Sequence, residues 1–253
     1  MQLPITSAPL YFLMDPDRKF VNFNQTTYPT IQVASVLNRA TELPIIQGTS
    51  SAQPVWSVAP LSGTYSWQAN PSQQVPGTPG IPGMTFAGAQ FLPFNSLGAK
   101  ASGTEQPFTM VSQANCVTFA SGTAQTVWSF GSTSSATPKA SLVYQSGLFK
   151  FSVTNSAGTF TASATADALT RTITCVNSGT TLTMISGGSV VATASITAAA
   201  ETYNTFTIGA LNSNGTTNAF FNGAIGKVLM YGGVADVTDV DLELRYKLGS
   251  LRG

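Results

Sequence analysis

The dominant pattern along this chain is short apolar runs that alternate with polar residues at period two. LFKFSVTN (148–155) shows it best: Phe149, Phe151 and Val153 alternate with Lys150, Ser152 and Thr154, so one face is buried and the other wet. Similar runs recur at 84–94 (MTFAGAQFLPF, two strands about a Gly-containing turn), 107–120, 125–132, 141–145, 158–166, 171–178, 180–188, 190–198, 204–211 and 224–231. Gly, Asn and Ser clusters separate them, and Ser186-Gly187-Gly188 reads as a hairpin turn between Met184-Ile185 and Val190-Val191. Strands this short and this regular predict an all-β fold, a two-sheet antiparallel β-sandwich. About a dozen strands close a core of two six-stranded sheets, so residues 1–253 are expected to form a single domain.

Three stretches depart from the pattern. Residues 8–23 give two apolar runs about an Asp15-Pro16-Asp17 turn. Residues 30–47 support either a strand (Ile31, Val33, Ser35, Leu37) or a helix (Val36, Ala40, Leu43), and Pro44 is expected to end whichever forms. Residues 54–83, with PSQQVPGTPGIPG at their extreme, are too rich in Pro and Gly for a central strand or a helix and are expected to form a loop or arm.

Composition narrows the chemistry. The charged fraction is 8%, against about 25% in ordinary soluble domains, and the net charge of +1 leaves no footprint for nucleic acid. A surface so weakly charged has little electrostatic reason to stay apart from neighbours, which suits a protein that works in a repeating assembly or one that is secreted. No apolar run reaches the roughly 18 residues of a membrane-spanning helix. The opening MQLPITSAPLYFLMDPD lacks a basic segment and a clean apolar core, so no secretory signal is expected. The chain has no histidine, which removes Ser-His-Asp and Cys-His catalysis and histidine-ligated zinc. Its two cysteines, Cys116 and Cys175, lie in apparent strands and read as buried free thiols.

The order of these features resembles the concanavalin A-like lectin/glucanase superfamily in its laminin-G-like jelly-roll form. MTFAGAQFL resembles the opening strand, QPFTMVSQANCVTFASGTAQTVWSFGS the first core hairpin, and the segment from TTLTMISGG through FFNGAIGKVLMYGG the last third of that fold. With its low charge, the layout also resembles accessory virion proteins of tailed bacteriophages. That resemblance implies a non-enzymatic head-decoration or tail protein in the virion, partnered by other virion proteins and by copies of itself. The alternative it implies is a glycan-binding module for adsorption to host surfaces.

The superfamily's hydrolases carry a Glu-x-Asp-x-Glu motif on one face of a strand. The candidate here is Asp239, Asp241 and Glu243, at the end of the chain. As a strand the three would share a face and permit glycoside hydrolysis. As a helix they scatter, and the helical parse has more support: Val237, Val240, Leu244, Leu248 and Leu251 form one apolar stripe, Thr238 can cap, and Gly249 can terminate. A C-terminal helix over 238–249 is therefore expected, and no enzyme. Calcium could be taken by the Asp15-Pro16-Asp17 turn or the 212–218 loop, though neither carries a liganding pattern; no cofactor is expected. Ligand contacts would come from the aromatics of the Pro-rich segment, Trp56, Tyr65 and Trp67, and from Tyr203, Asn212 and Asn214.

Overall fold

The structure, a computed structural model, describes residues 10–14, 21–25, 32–38, 43–60, 80–94, 102–104, 107–132, 135–167, 171–203, 205–213 and 216–235. The expected helix at 238–249, with Asp239, Asp241 and Glu243, lies outside these residues, as do Asp15, Pro16 and Asp17. The strands in chain order are β1 (Leu10–Met14), β2 (Val21–Gln25), β3 (Gln32–Asn38), β4 (Leu43–Ile46), β5 (Val55–Pro60), β6 (Gly80–Ala87), β7 (Leu92–Phe94), β8 (Ser102–Thr104), β9 (Phe108–Cys116) and β10 (Gln125–Ser132). They continue with β11 (Ser135–Gln145), β12 (Leu148–Asn155), β13 (Gly158–Thr165), β14 (Arg171–Asn177), β15 (Thr181–Ser186), β16 (Ser189–Ser195), β17 (Ala200–Thr202), β18 (Thr205–Ile208), β19 (Leu211–Ser213), β20 (Thr216–Asn218) and β21 (Asn222–Tyr231).

These build an all-β, antiparallel sandwich. One sheet has six strands in the order β13-β12-β11-β10-β18-β7. The other has eleven and runs β1-β3-β5-β6-β21-β9-β14-β15-β16, with β2 and β4 as branches on β3. It is larger than the six strands expected because both the N-terminal stretch and the ends of the Pro-rich stretch join it. The ambiguous 30–47 region resolves as two strands, β3 and β4, and Pro44 sits inside β4 opposite Leu37 instead of ending the element. A proline is tolerated there because, among the described residues, β4 has β3 as its one strand partner.

The same reasoning applies to the two described ends of the 54–83 stretch, which form strands where a loop or arm was expected. Val55–Pro60 and Gly80–Ala87 pair with each other, including Val58 opposite Pro82 and Pro60 opposite Gly80. β21 pairs with β6 at residues 84–87, so among the described residues Pro82 lies where β6 has β5 alone beside it and its missing N–H leaves no second described strand unsatisfied. Residues 61–79 lie outside the described set. The apolar run 204–211 is also broken: Gly209, at φ +83°, ends β18 and turns the chain into β19. Glycine is required there, since a Cβ would stand 2.5 Å from the Phe86 ring. The Gly187-Gly188 hairpin turn forms as expected, with φ of 66° and 75° and Ser186 opposite Ser189.

The core lies between the sheets. Trp128, Phe130, Phe151 and Phe206 are fully buried and Phe108 almost so. Their rings meet at 5.0 Å (Phe130–Phe206), 5.4 Å (Phe108–Phe130) and 5.6 Å (Trp128–Phe130). Aromatic pairs at such spacings contribute about 0.5–1.5 kcal/mol each beyond the apolar area they bury. Cys116 and Cys175 are free and buried.

β21 is the strand on which the larger sheet is assembled. β9 runs along one edge of it; on the other, β6 pairs with residues 222–225 and β1 with 228–231. At Gly223, φ is +155° and a Cβ would stand 2.0 Å from the Asn115 carbonyl oxygen of β9. Gly223→Ala is expected to cost at least about 2 kcal/mol, combining backbone strain with a forced parting of β9 and β21. Equilibrium urea unfolding checks this; a variant within about 0.5 kcal/mol of the parent would show that the approach is not needed.

Candidate functional site

Of the residues expected to bind ligand, the structure places the side chains of Tyr203 and Asn212, and both are buried. Tyr203 is 3% exposed and packs its ring against Phe108 and Phe130, at 6.4 and 5.6 Å. It belongs to the core and offers no face for a sugar to stack on. Asn212 is 8% exposed, and its Nδ2 donates to Thr207 Oγ1 at 3.3 Å while its backbone N–H donates to Ser129 Oγ at 3.1 Å. It fastens a hairpin to the sheet. Trp56 is a strand residue of β5 opposite Met84, not a loop residue. Tyr65, Trp67 and Asn214 lie outside the described residues. Of the two adjacent rings near the last strand, Phe221 is core and Phe220 is half-buried against Phe91 at 6.1 Å.

Strand register instead gathers a row of hydroxyls on the outer face of the six-stranded sheet. Thr207 of β18 lies opposite Ser129 of β10, Ser129 opposite Ser141 of β11, Ser141 opposite Ser152 of β12, and Ser152 opposite Thr161 of β13. Residues directly opposite in an antiparallel sheet point to the same face. Phe149, Phe151 and Val153 take the inner face of β12, which sends Lys150, Ser152 and Thr154 outward. The open end of the row is widened by Thr154 opposite Thr159 and Lys150 opposite Ser163.

The row changes character along its length. At the β18–β10 end it is roofed by the β19–β20 hairpin: Ser129 Oγ donates to the Ala210 carbonyl at 2.9 Å. Gly131 makes room for that roof, since a Cβ there would stand 2.8 Å from the Asn212 carbonyl oxygen and from Thr205 Oγ1. Ser129 and Thr207 are buried and Ser141 is nearly so, whereas Ser152 is half-buried and Thr159, Thr161 and Ser163 are exposed. The result is a polar floor on β12 and β13 that runs up to a wall made by the hairpin. Ser152 and Thr161 hydroxyls meet at 2.9 Å, Thr154 and Thr159 at 3.0 Å, and Lys150 Nζ donates to Gln145 Oε1 at 2.9 Å.

Chemically this floor donates and accepts hydrogen bonds and carries the Lys150 cation, with Lys139, two residues before Ser141 on β11, on the same face of the sheet. Among the described residues it holds no group with the environment of a general base or a nucleophile. The carboxylate of Asp167 is taken up by Arg171 through Nε and Nη2. Among the described residues no three His, Cys, Asp or Glu side chains gather as a cation site. The period-two wet face of β12 is visible in the sequence; its alignment with hydroxyls on four other strands is not, because that depends on register.

The buried thiols are equally inert. Burial pushes Cys116 up from its ordinary value of 9.0 to about 11, against a smaller opposing pull from its hydrogen bonds with Thr118, and burial raises Cys175 well above that ordinary value. Between about pH 9 and 11 the unfolded chain releases a proton that the folded chain retains, so stability falls as pH rises through that window. Unfolding midpoints should fall over this range, and the Cys116→Ala/Cys175→Ala protein should lose most of the fall below pH 10. Above that, burial of Tyr144, whose ordinary value is 10.0, adds a slope of the same sign.

No protein-family model matches the chain, and no curated protein sequence does. Solved structures do share its fold. The CBM40 domain of the Ruminococcus gnavus IT-sialidase, in a structure with α2,3-sialyllactose, superposes with a TM-score of 0.52 at 15% identity, over 63% of this chain and 95% of that one. The binding domain of botulinum neurotoxin DC, in complex with SialylT, gives 0.54 at 11% identity over 96% of this chain. The receptor-binding domain of botulinum neurotoxin type G gives 0.51 at 9%. The match covers 52% of each toxin chain. At these identities the likeness establishes a lectin-like β-sandwich fold, in agreement with the jelly roll that the sequence resembles.

Proposed function

We propose that this protein is a non-enzymatic glycan-binding module whose ligand lies on the hydroxyl floor of β12 and β13, against the β19–β20 wall. The observation that carries the reading is the cross-strand row ending in Ser152 and Thr161 beside Lys150. Sugars present many hydroxyls and little charge, and a neutral surface of side-chain hydroxyls pairs with them without a desolvated charge to compensate. Lys150 would favour an acidic sugar by a charge-assisted bond to its carboxylate. The reading is supported by the sandwich neighbours, whose structures carry sialyllactose in one case and SialylT in another.

The setting we propose is a virion surface, where the module would serve as an accessory head or tail protein, assembled in the host cytoplasm alongside other virion proteins. A charged fraction of 8% favours a role within an assembly. Co-sedimentation with purified particles tests that setting separately from sugar binding.

Glycan-array screening followed by calorimetry tests the binding reading. The parent should retain glycans and prefer sialylated ones. Lys150→Ala should weaken acidic glycans by about tenfold or more, the loss of a charge-assisted hydrogen bond. Ser152→Val with Thr161→Val should weaken acidic and neutral glycans alike. An array without hits, or affinities untouched by all three substitutions, would overturn the assignment.

A further inference from the structure

The two sides of this sandwich are finished differently. On one side the larger sheet closes on itself, because β1 pairs with β21 as well as with β3, so β1, β3, β5, β6 and β21 form a ring. The smaller sheet's edge on that side, β7, is tied down by Gln47, whose Nε2 donates to the Phe91 carbonyl at 2.9 Å, and by Phe91 N–H donating to the Ala52 carbonyl at 3.0 Å. The branches there are short, five residues in β2 and four in β4, and β4 contains Pro44. Short strands and prolines are ordinary devices for blunting an edge.

The other side lacks most of these devices. β13 ends the six-stranded sheet and β16 ends the larger one, each with a single strand partner among the described residues. β13 is eight residues long (GTFTASAT) and keeps one unbroken register with β12, from Leu148–Thr165 to Asn155–Gly158. β16 is seven residues long (SVVATAS) and has one register shift, at its hairpin end. Neither strand carries a charged residue or a proline. At that hairpin end Val190 and Val191 stand 61% and 42% exposed, two of the five large apolar side chains exposed among the described residues.

We propose that the β13–β16 side is a self-association face, on which a second copy of this chain docks about a two-fold axis, edge strand against edge strand. The occupant follows from the chemistry of the edge. Across a two-fold, a surface meets itself, so any charged residue near the axis meets its like, and directly opposed like charges destabilise a strand pair. A side built from Gly, Ser, Thr, Ala, Val and Phe meets no such penalty, and its free main-chain N–H and C=O groups are self-complementary. Antiparallel pairing of β13 with its copy places Thr and Ser opposite Thr and Ser on the outer face and Ala opposite Ala or Phe on the inner face. Both sheets' face patterns therefore run on across the junction, and Val190 and Val191 gain apolar cover.

Sedimentation velocity on the full chain over a wide concentration range tests this. A concentration-dependent dimer is expected, with slower hydrogen exchange at the amides of 158–165 in concentrated than in dilute solution. Ser163→Lys and Thr193→Lys, both at exposed positions, should each raise the dissociation constant by about tenfold or more, as like charges are brought together at the junction. The Ser163→Lys and Ser163→Glu proteins, each monomeric alone, should dimerise when mixed. A monomer at every concentration overturns the proposal, as does a dimer that survives Ser163→Lys combined with Thr193→Lys. The readout is mass, so loss of sugar binding leaves this inference standing, and a monomer leaves the glycan reading standing.

Discussion

The close approach of Gly223 to Asn115 is the constraint on which the larger sheet depends. β21 has to serve β9 on one edge and two different strands on the other, with both of its faces largely buried. Its register with β9 shifts between Ile225 and Val228, at the same point where β6 gives way to β1 on the opposite edge. Gln113 compensates inside that irregularity: its Oε1 accepts the Lys227 backbone N–H at 3.3 Å. A buried N–H left unpaired costs about 1–3 kcal/mol, so a side chain standing in for a missing ladder bond is a substantial contribution. The bulge lets one strand change partners without leaving the sheet.

A second polar group couples this spine to the other sheet. Gln125, at the start of β10, accepts from the Asn222 N–H at 3.1 Å and from Cys116 Sγ at 3.3 Å, and donates to the Thr118 carbonyl at 2.9 Å. One buried amide therefore joins the end of β9, the start of β21 and the start of β10 in the hydroxyl-bearing sheet. Buried networks satisfied in this way specify a unique arrangement, because each alternative strands a donor or acceptor. The outer face gains from that rigidity. Its floor is held by strand pairing, and its wall is held by Ser129 and Asn212, so a ligand would meet a surface ordered in advance and the entropy of ordering it would not be charged to binding.

Low charge links the two surfaces argued for above. On the outer face it leaves hydroxyls free to meet sugar hydroxyls; on the β13–β16 side it removes the repulsion that keeps sheet edges apart. β13 belongs to both, since its outward hydroxyls form part of the floor while its second main-chain edge has no strand partner among the described residues. Docking of a second copy along β13 would bring two floors into one surface, and two linked weak sites bind a multivalent glycan more tightly than either does alone.

The alternation in LFKFSVTN, the recurring short apolar runs and the Gly187-Gly188 turn were enough by themselves to determine an all-β sandwich and which face of β12 is wet. That follows from period-two geometry, which is local. The absence of histidine likewise determined from composition alone that no histidine-dependent chemistry occurs. What the sequence could not determine is anything that depends on which strand lies beside which. Prolines argued against strands at Pro44 and Pro82, and only their positions beside a single neighbour show why strands form there. Tyr203 and Asn212 have the residue types of a ligand site, and only packing decides that one is core and the other a fastener. The row from Thr207 to Thr161 crosses four consecutive strands, β10 to β13, and the distant β18, so its existence was decided by register, and register is a property of the assembled sheet.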